Sequence, residues 1–295
     1  MKILKSTLLT LILILSNSIF LTAQDTTETD EDWEWEWDEV EEFSDWKLKQ
    51  PTINLIYGLS DIKRTDVEAP FADNNLLELK LGYTRNKTSR YADFIEKHTF
   101  NYLFLNKNST ELAGETDITT DIETNNWQFG LGWSGGYGYK VESEALIIPY
   151  YSSMMTWTTL DFADDSLSAN DESIKELYDE SIRFGSGMEA GVRVNFTKMI
   201  AIEGGYERTI VFQRHLFWKW AGSAIIELAA QGLLDTFIKE IFKSSPSVGP
   251  VVNMILKGAL GYGLYELRQE KMNWPFPSAP PIAMDNVKFG VTFVF

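Results

Sequence analysis

The last nine residues read Val287-Lys288-Phe289-Gly290-Val291-Thr292-Phe293-Val294-Phe295. In an extended chain Val287, Phe289, Val291, Phe293 and Phe295 share one face, opposite Lys288, Gly290 and Thr292. A strand so divided needs an apolar medium on one side and a polar one on the other. Working outward, the same period of two recurs along the chain. Ile53, Leu55, Tyr57 and Leu59 oppose Thr52, Asn54 and Gly58, and Leu77, Leu79, Leu81 and Tyr83 oppose Glu78, Lys80, Gly82 and Thr84. Phe100, Tyr102 and Phe104 alternate with Thr99 and Asn101, and Trp127, Phe129, Leu131 and Trp133 with Gln128, Gly130, Gly132 and Ser134. Residues 145–160 read as a strand of ambiguous facing. Phe184, Met188, Ala190, Val192 and Val194 oppose Arg183, Gly185, Glu189, Gly191 and Arg193. Ile202, Tyr206, Ile210 and Phe212 oppose Glu203, Gly205 and Glu207. With the closing run, that makes eight strands.

The connections are 61–75, 86–97, 107–125, 140–144, 161–180, 196–199 and 213–285, and the odd-numbered ones are the four longest. Long loops on one rim and tight turns on the other are what a membrane barrel predicts. A soluble β-sandwich would hide its aromatic rings between two sheets. The expected fold is an all-β membrane protein: an eight-stranded antiparallel up-and-down transmembrane β-barrel over 47–295. A helical insert, 213–285, is expected in its last extracellular loop.

The terminal Val291-Thr292-Phe293-Val294-Phe295 and the hairpin 187–193 to 203–208 carry a resemblance. They resemble the small eight-stranded outer-membrane β-barrels of the OmpA transmembrane-domain and OmpX-like group. The resemblance covers Pro51 to Phe212 and the last ten residues. It implies an outer-membrane location and contact with outer-membrane lipid. It also implies that Phe293 and Phe295 serve as the signal read by the barrel-assembly machinery. It is specific to the architecture and hardly to one function.

Lys2 and Lys5, an apolar run from Leu8 to Leu15, and Leu21-Thr22-Ala23 predict a secretory signal peptide over 1–23. No later run holds about 18 uninterrupted apolar residues, so no later helix is expected to span a membrane alone. Acidic residues outnumber basic ones 43 to 26 across 295 residues, for a net charge of −17. That balance argues against nucleic acid, whose phosphates require a basic surplus. Zero cysteines exclude disulfides, thiolate metal sites and a Cys nucleophile. The segment 24–46 holds twelve acids and no base, yet carries Trp33, Trp35 and Trp37 in strict alternation with carboxylates. It reads either as a solvated periplasmic tail or as a strand that docks on a basic periplasmic partner.

Eight strands leave a lumen that side chains just fill. Its inward positions carry Glu78, Glu189, Glu203 and Glu207 against Lys80, Arg183, Arg193 and Lys288, which predicts a salt-bridge plug rather than an ion path. The outer loops are acidic; Asp161, Asp164 and Asp165 are the weak candidates for a hard cation, although no EF-hand-like spacing supports them. No cofactor is implied. His98 and His215 are the only histidines. His215 is the weak candidate for the alternative function, a lipid-modifying acyl hydrolase or transferase, and no Ser partner lies beside it in sequence. A narrow pore is the third option.

The final loop is the unusual part. Residues 218–243 read as a helix with a polar stripe of Glu227, Gln231, Asp235 and Lys239. Trp218, Trp220, Ile225, Leu228, Leu233, Phe237, Ile241 and Phe242 form its contact surface. Residues 251–260 offer a second helix, whereas Leu260-Gly261-Tyr262-Gly263-Leu264 also resembles a strand. An insert over 217–260 this apolar needs a cover: the outer leaflet, the barrel mouth, or protein, including another copy of the chain. The expected function is non-enzymatic, a surface or scaffold protein that binds protein or lipid through this insert.

Overall fold

The computed structural model describes residues 49–113, 122–141, 145–162, 168–179 and 181–295. The signal peptide, the Trp33, Trp35 and Trp37 segment, Asp164 and Asp165 lie outside the described residues. Eight antiparallel strands close on themselves in chain order. They are β1 (Gln50–Lys63), β2 (Asn74–Thr88), β3 (Ile95–Ser109), β4 (Thr124–Lys140), β5 (Leu146–Phe162), β6 (Ile182–Asn195), β7 (Ile200–Val211) and β8 (Ile282–Val294). Closure is by β1 on β8, with Ile53 opposite Phe293 and Leu59 opposite Val287. The closing sequence therefore seals the sheet and leaves no free edge.

Polarity is inverted relative to a water-soluble core. Asn54, Thr156, Glu207 and Thr292 are wholly buried inside, whereas Leu55, Leu103 and Phe289 are 52%, 59% and 61% exposed outside. A wall of exposed apolar residues around a polar interior is stable only against hydrocarbon, so the fold is a transmembrane β-barrel. Aromatic rings mark both margins of the wall. On β4, Trp127 and Phe129 stand toward one rim and Tyr137 and Tyr139 toward the other, with Trp133 at mid-height. About ten residues separate Trp127 from Tyr137, roughly 25 Å of height for a tilted strand. The facing of β5 is settled by its neighbours: Tyr150, Ser152, Met154, Thr156 and Thr158 point inward.

Connections 64–73, 110–123, 163–181 and 212–281 leave one rim, and the shorter 89–94, 141–145 and 196–199 leave the other. The last long connection holds two helices, α2 (Phe217–Ser244) and α3 (Gly249–Glu270), and the one before it holds α1 (Ala169–Lys175). The run Leu260–Leu264 is part of α3 and not a strand. Its glycines face the barrel wall: a Cβ on Gly261 would collide with the Met188 sulfur, and one on Gly258 would meet Ala190 Cβ at 3.4 Å. Small residues here let a helix backbone approach the sheet closely.

Candidate functional site

Three places hold chemistry: the lumen, its mouth at the long-loop rim, and the outer wall under the helices. In the lumen, strands β2, β6, β7 and β8 bring Glu78, Lys80, Glu189, Glu207 and Lys288 together. Lys80 Nζ lies 2.9 Å from Glu189 and 3.3 Å from Glu78, and Lys288 Nζ lies 2.7 Å from Glu78 and also pairs with Glu207. Tyr150 donates to Glu189, and Asn286 donates to Glu207 at 2.8 Å. Lys80 stands 4.9 Å from the centre of the Tyr102 ring. Arg193 and Glu203 form a separate pair at 3.9 Å, with Asn54 donating to Glu203. Arg183 joins neither group; its guanidinium donates to the Leu177 carbonyl at the mouth. A cavity of about 10 Å³ remains among Lys80, His98, Tyr102, Tyr150, Arg193 and Glu203, room for about one water molecule. His98, buried, has its Nδ1 2.7 Å from Asn86 Oδ1.

The mouth is covered from within the third long loop. Ile62, Leu160, Val211, Ile282 and Met284 point up from the strands and pack with Ile174 of α1 and Tyr178. Arg64 donates to the Tyr178 hydroxyl at 2.7 Å. Asp171 accepts from the backbone N–H groups of Glu68 and Ala69 at 3.1 and 3.3 Å, tying the first long loop to the third. Burial alone would raise the Asp171 carboxyl, but these donors outweigh it and hold it below the usual carboxylate range. The cap is thus α1 with Tyr178, and α2 and α3 are elsewhere.

Those two helices lie on the outside of β4 to β7. Going from the long-loop rim, Tyr265 packs with Ile210 and Ala283, Gly261 meets Met188, and Gly258 meets Ala190. At the short-turn rim the Tyr139 hydroxyl donates to the Ser247 carbonyl at 2.7 Å. Phe242 stacks on Tyr91 at 4.9 Å and lies 4.4 Å from the Tyr137 ring. Arg208, outward on β7, is clamped under α3. Its guanidinium sits 3.9 Å from the Tyr262 ring centre and 4.8 Å from that of Tyr265, and pairs with Glu266 at 3.0 Å. Asp285 on β8 lies 3.3 Å from the same guanidinium and pairs with Lys63.

Of the α2 polar stripe, Glu227, Gln231 and Asp235 lie on the side toward α3, and Lys239 is exposed. Arg268 donates to Ser223 at 3.1 Å and to Glu227 at 2.8 Å, Gln231 donates to Glu227, and Lys257 pairs with Asp235 at 2.7 Å. Ile225, Leu228, Leu233, Phe237 and Trp218 are left exposed. Trp220 instead packs against the buried cluster of Ile210, Phe212, Tyr265, Met272 and Ala283 and meets the Phe184 ring at 5.7 Å, Phe242 is buried, and Ile241 is half-buried. Phe293 and Phe295 are outward and exposed at the end of the chain.

No family model matches the chain, and no curated protein does. Among solved structures, Neisserial surface protein A (NspA) aligns at 10% identity over 83% of this chain and 97% of its own, with a TM-score of 0.39. Ail, the attachment invasion locus protein of Yersinia pestis, aligns at 7% identity over 84% and 99%, with a TM-score of 0.34. The chain is a small eight-stranded antiparallel β-barrel. What it binds has to be argued from its own residues.

Among the described residues no group of three or more His, Asp or Glu is placed to hold a metal ion, and Asp161 stands at the end of β5. His215 packs by its ring against Phe184 at 5.2 Å, Trp220 at 5.7 Å and Phe217 at 6.2 Å, outside the wall and away from the lumen. The sequence reading gave no site role to Tyr150, Tyr102 or Arg208, and the aromatic face it found on β3, Phe100, Tyr102 and Phe104, turns into the lumen while Leu103 and Leu105 face out. Arg208 had a visible signal: it shares the apolar face of β7 with Tyr206 and Ile210. A cation on a lipid-facing strand is unfavourable, by an amount that grows with depth from the interface, so an outward Arg208 three residues below the end of β7 is suited by a cover.

Proposed function

We propose that this chain is a non-conducting barrel of the outer membrane, acting as a surface scaffold whose α2–α3 hairpin, rather than its lumen, meets a partner protein or lipid. The observation that carries the reading is the contrast between the two. The lumen is filled by paired charges and covered by α1 and Tyr178, while α2 keeps a row of large apolar side chains bare. A plug of balanced charge has no net field with which to select an ion. The long-loop rim is read as the outer side and the short-turn rim as periplasmic. The exposed outward Phe295 supports a role as the cue for barrel assembly. Replacing residues 221–256 by a short Gly-Ser loop tests the reading. The shortened barrel is expected to keep its heat-modifiable gel migration and to lose the contacts that the parent shows by cross-linking in cells. An unchanged cross-linking pattern would sink it. His215→Ala is expected to leave outer-membrane lipid composition unchanged; an altered composition would favour a lipid-modifying enzyme instead.

A further inference from the structure

We propose that the α2–α3 hairpin is itself membrane-embedded, crossing the bilayer beside the barrel, and that the outer face of α2 is a contact surface for lipid acyl chains. The proposal rests on the reading above only in taking the hairpin as the contact surface, and names what it contacts.

Four observations converge. The first is depth. The hairpin starts and ends at the long-loop rim, where Tyr265 packs with Ile210 and Ala283 and Trp220 with Phe184. Its tip reaches the short-turn rim, where Ser247 meets Tyr139 and Phe242 meets Tyr91 and Tyr137. It therefore runs the full height of the apolar wall. The 28 residues of α2 reach about 42 Å at about 1.5 Å each, more than the roughly 30 Å of hydrocarbon.

The second is polarity. A hairpin bathed in water turns charges out and apolar groups in; along its middle this one does the reverse, while the exposed Lys239, Glu240 and Lys243 lie in the last two turns of α2, toward the short-turn rim. Glu227 and Asp235 point at Arg268 and Lys257 on α3, while Ile225 and Leu228 are each 66% exposed and Phe237 57%. Charged groups within a bilayer face the bundle interior and pair with one another, as these do, although Asp235 remains partly open at the groove between the helices. The charged stripe interrupts the apolar run of α2, which is why a search for an uninterrupted run passes over it. By length and composition α2 nonetheless qualifies to cross a membrane, and little of it is buried. It does not cross alone, since α3 and the wall take up its polar side.

The third is the wall. α3 covers outward positions that would otherwise meet lipid, including Met188, Ala190 and Arg208, and α2 presents apolar side chains in their place. The band seen on β1 to β3 as Leu55, Leu81 and Leu103 thus continues across the hairpin at the same height. The fourth is the pair of ends. Trp218 stands bare at the long-loop rim, and Lys243 and Ser244 end α2 at the other, as interfacial residues do at the two faces of a bilayer.

The native chain has no cysteine, so single-Cys variants report without background. Full-length protein carrying Leu228→Cys, Phe237→Cys, Leu103→Cys on the bare wall, or Thr65→Cys in a long loop is folded into phosphatidylcholine vesicles. Folding of each is checked by heat-modifiable migration. Leu228→Cys and Phe237→Cys are expected to react with a membrane-impermeant maleimide about tenfold or more slowly than Thr65→Cys. A fluorophore attached there is expected to be quenched by nitroxides midway along the acyl chain as strongly as at Leu103→Cys. Labelling as fast as Thr65→Cys would place the hairpin in water and overturn the proposal. Protection without acyl-chain quenching would mean that protein, such as a second copy of the chain, covers α2, and would overturn it equally. Because only purified protein and lipid are present, failure here is independent of failure of the cellular cross-linking test.

Discussion

Lys288 is the residue on which the lumen most depends. It reaches Glu78, Glu207 and, at 3.8 Å, Glu189, and all four side chains are buried. Removing the cation leaves Glu78 and Glu189 to share Lys80, and leaves buried Glu207 with the neutral donors Asn286 and Thr209. Lys288→Met is expected to destabilise the barrel by about 3–5 kcal/mol, the usual consequence of stranding a buried charge. The measurement is the urea midpoint of detergent-folded protein, and Lys288→Met with Glu207→Gln is expected to recover part of the loss. An unchanged midpoint in the single variant would show that the network contributes little. At the mouth, Asp171 predicts a pH dependence with a definite sign. Its carboxyl is held below the usual range by the Glu68 and Ala69 N–H groups. Its contribution is therefore complete above the ordinary carboxylate pKa and is lost as pH falls through the lowered one. Protease cleavage within 64–73 is expected to stay low at neutral pH and rise in acid, and Asp171→Asn is expected to raise it at neutral pH and flatten the dependence.

Among the elements, α3 is the one that attaches the hairpin to the barrel. Its attachment has two parts, close approach at Gly258 and Gly261 and the clamp on Arg208 by Tyr262, Tyr265 and Glu266. Gly261→Leu sets a branched side chain between α3 and the wall, where a Cβ alone already displaces the Met188 sulfur and lies 3.1 Å from the Tyr151 hydroxyl. The expected result is a barrel with unchanged heat-modifiable migration and a hairpin that becomes cleavable near 244–249. Arg208→Met is expected to act in the same direction but more weakly, since methionine keeps apolar contact with the two rings while losing the ion pair. Cleavage no greater than in the parent for both variants would show that α3 is held by contacts other than these. The strands are insensitive to either change because each is hydrogen-bonded to two neighbours around the closed sheet.

For the whole molecule, the proposed consequence is a non-conducting barrel with two unlike sides. The strands β4 to β7 carry the hairpin, and β1 to β3 face outward with bare apolar residues. The interior is paired charge at mid-height and apolar packing at the mouth. Planar-bilayer recordings are expected to show no discrete conductance steps, and deleting the cap segment 168–179 is expected not to create them, because the charge network lies below it. Steps in the parent protein would restore the pore as a function.

The barrel was legible because period-two alternation is a property of each strand by itself. The pattern of Val287 to Phe295 needs no knowledge of its neighbours to demand two unlike media, and six more such runs, with one strand of ambiguous facing, leave a closed sheet as the way to satisfy every edge. The helices were legible in outline for the same local reason, with Pro246 and Pro250 marking the turn between them. Leu260 to Leu264 was ambiguous because glycine at every second place mimics alternation, whereas in α3 Gly261 serves close packing on Met188. Three things belonged to the tertiary structure alone. Arg183 leaves the lumen network because the third loop offers it the Leu177 carbonyl. The mouth is covered by Tyr178 and not by the insert. Glu227 and Asp235 of the α2 stripe turn inward because their partners, Arg268 and Lys257, stand on a helix that returns antiparallel beside it. Periodicity along one helix reports which residues share a face; which way that face points depends on what is packed across from it, and that is decided between segments far apart in the chain.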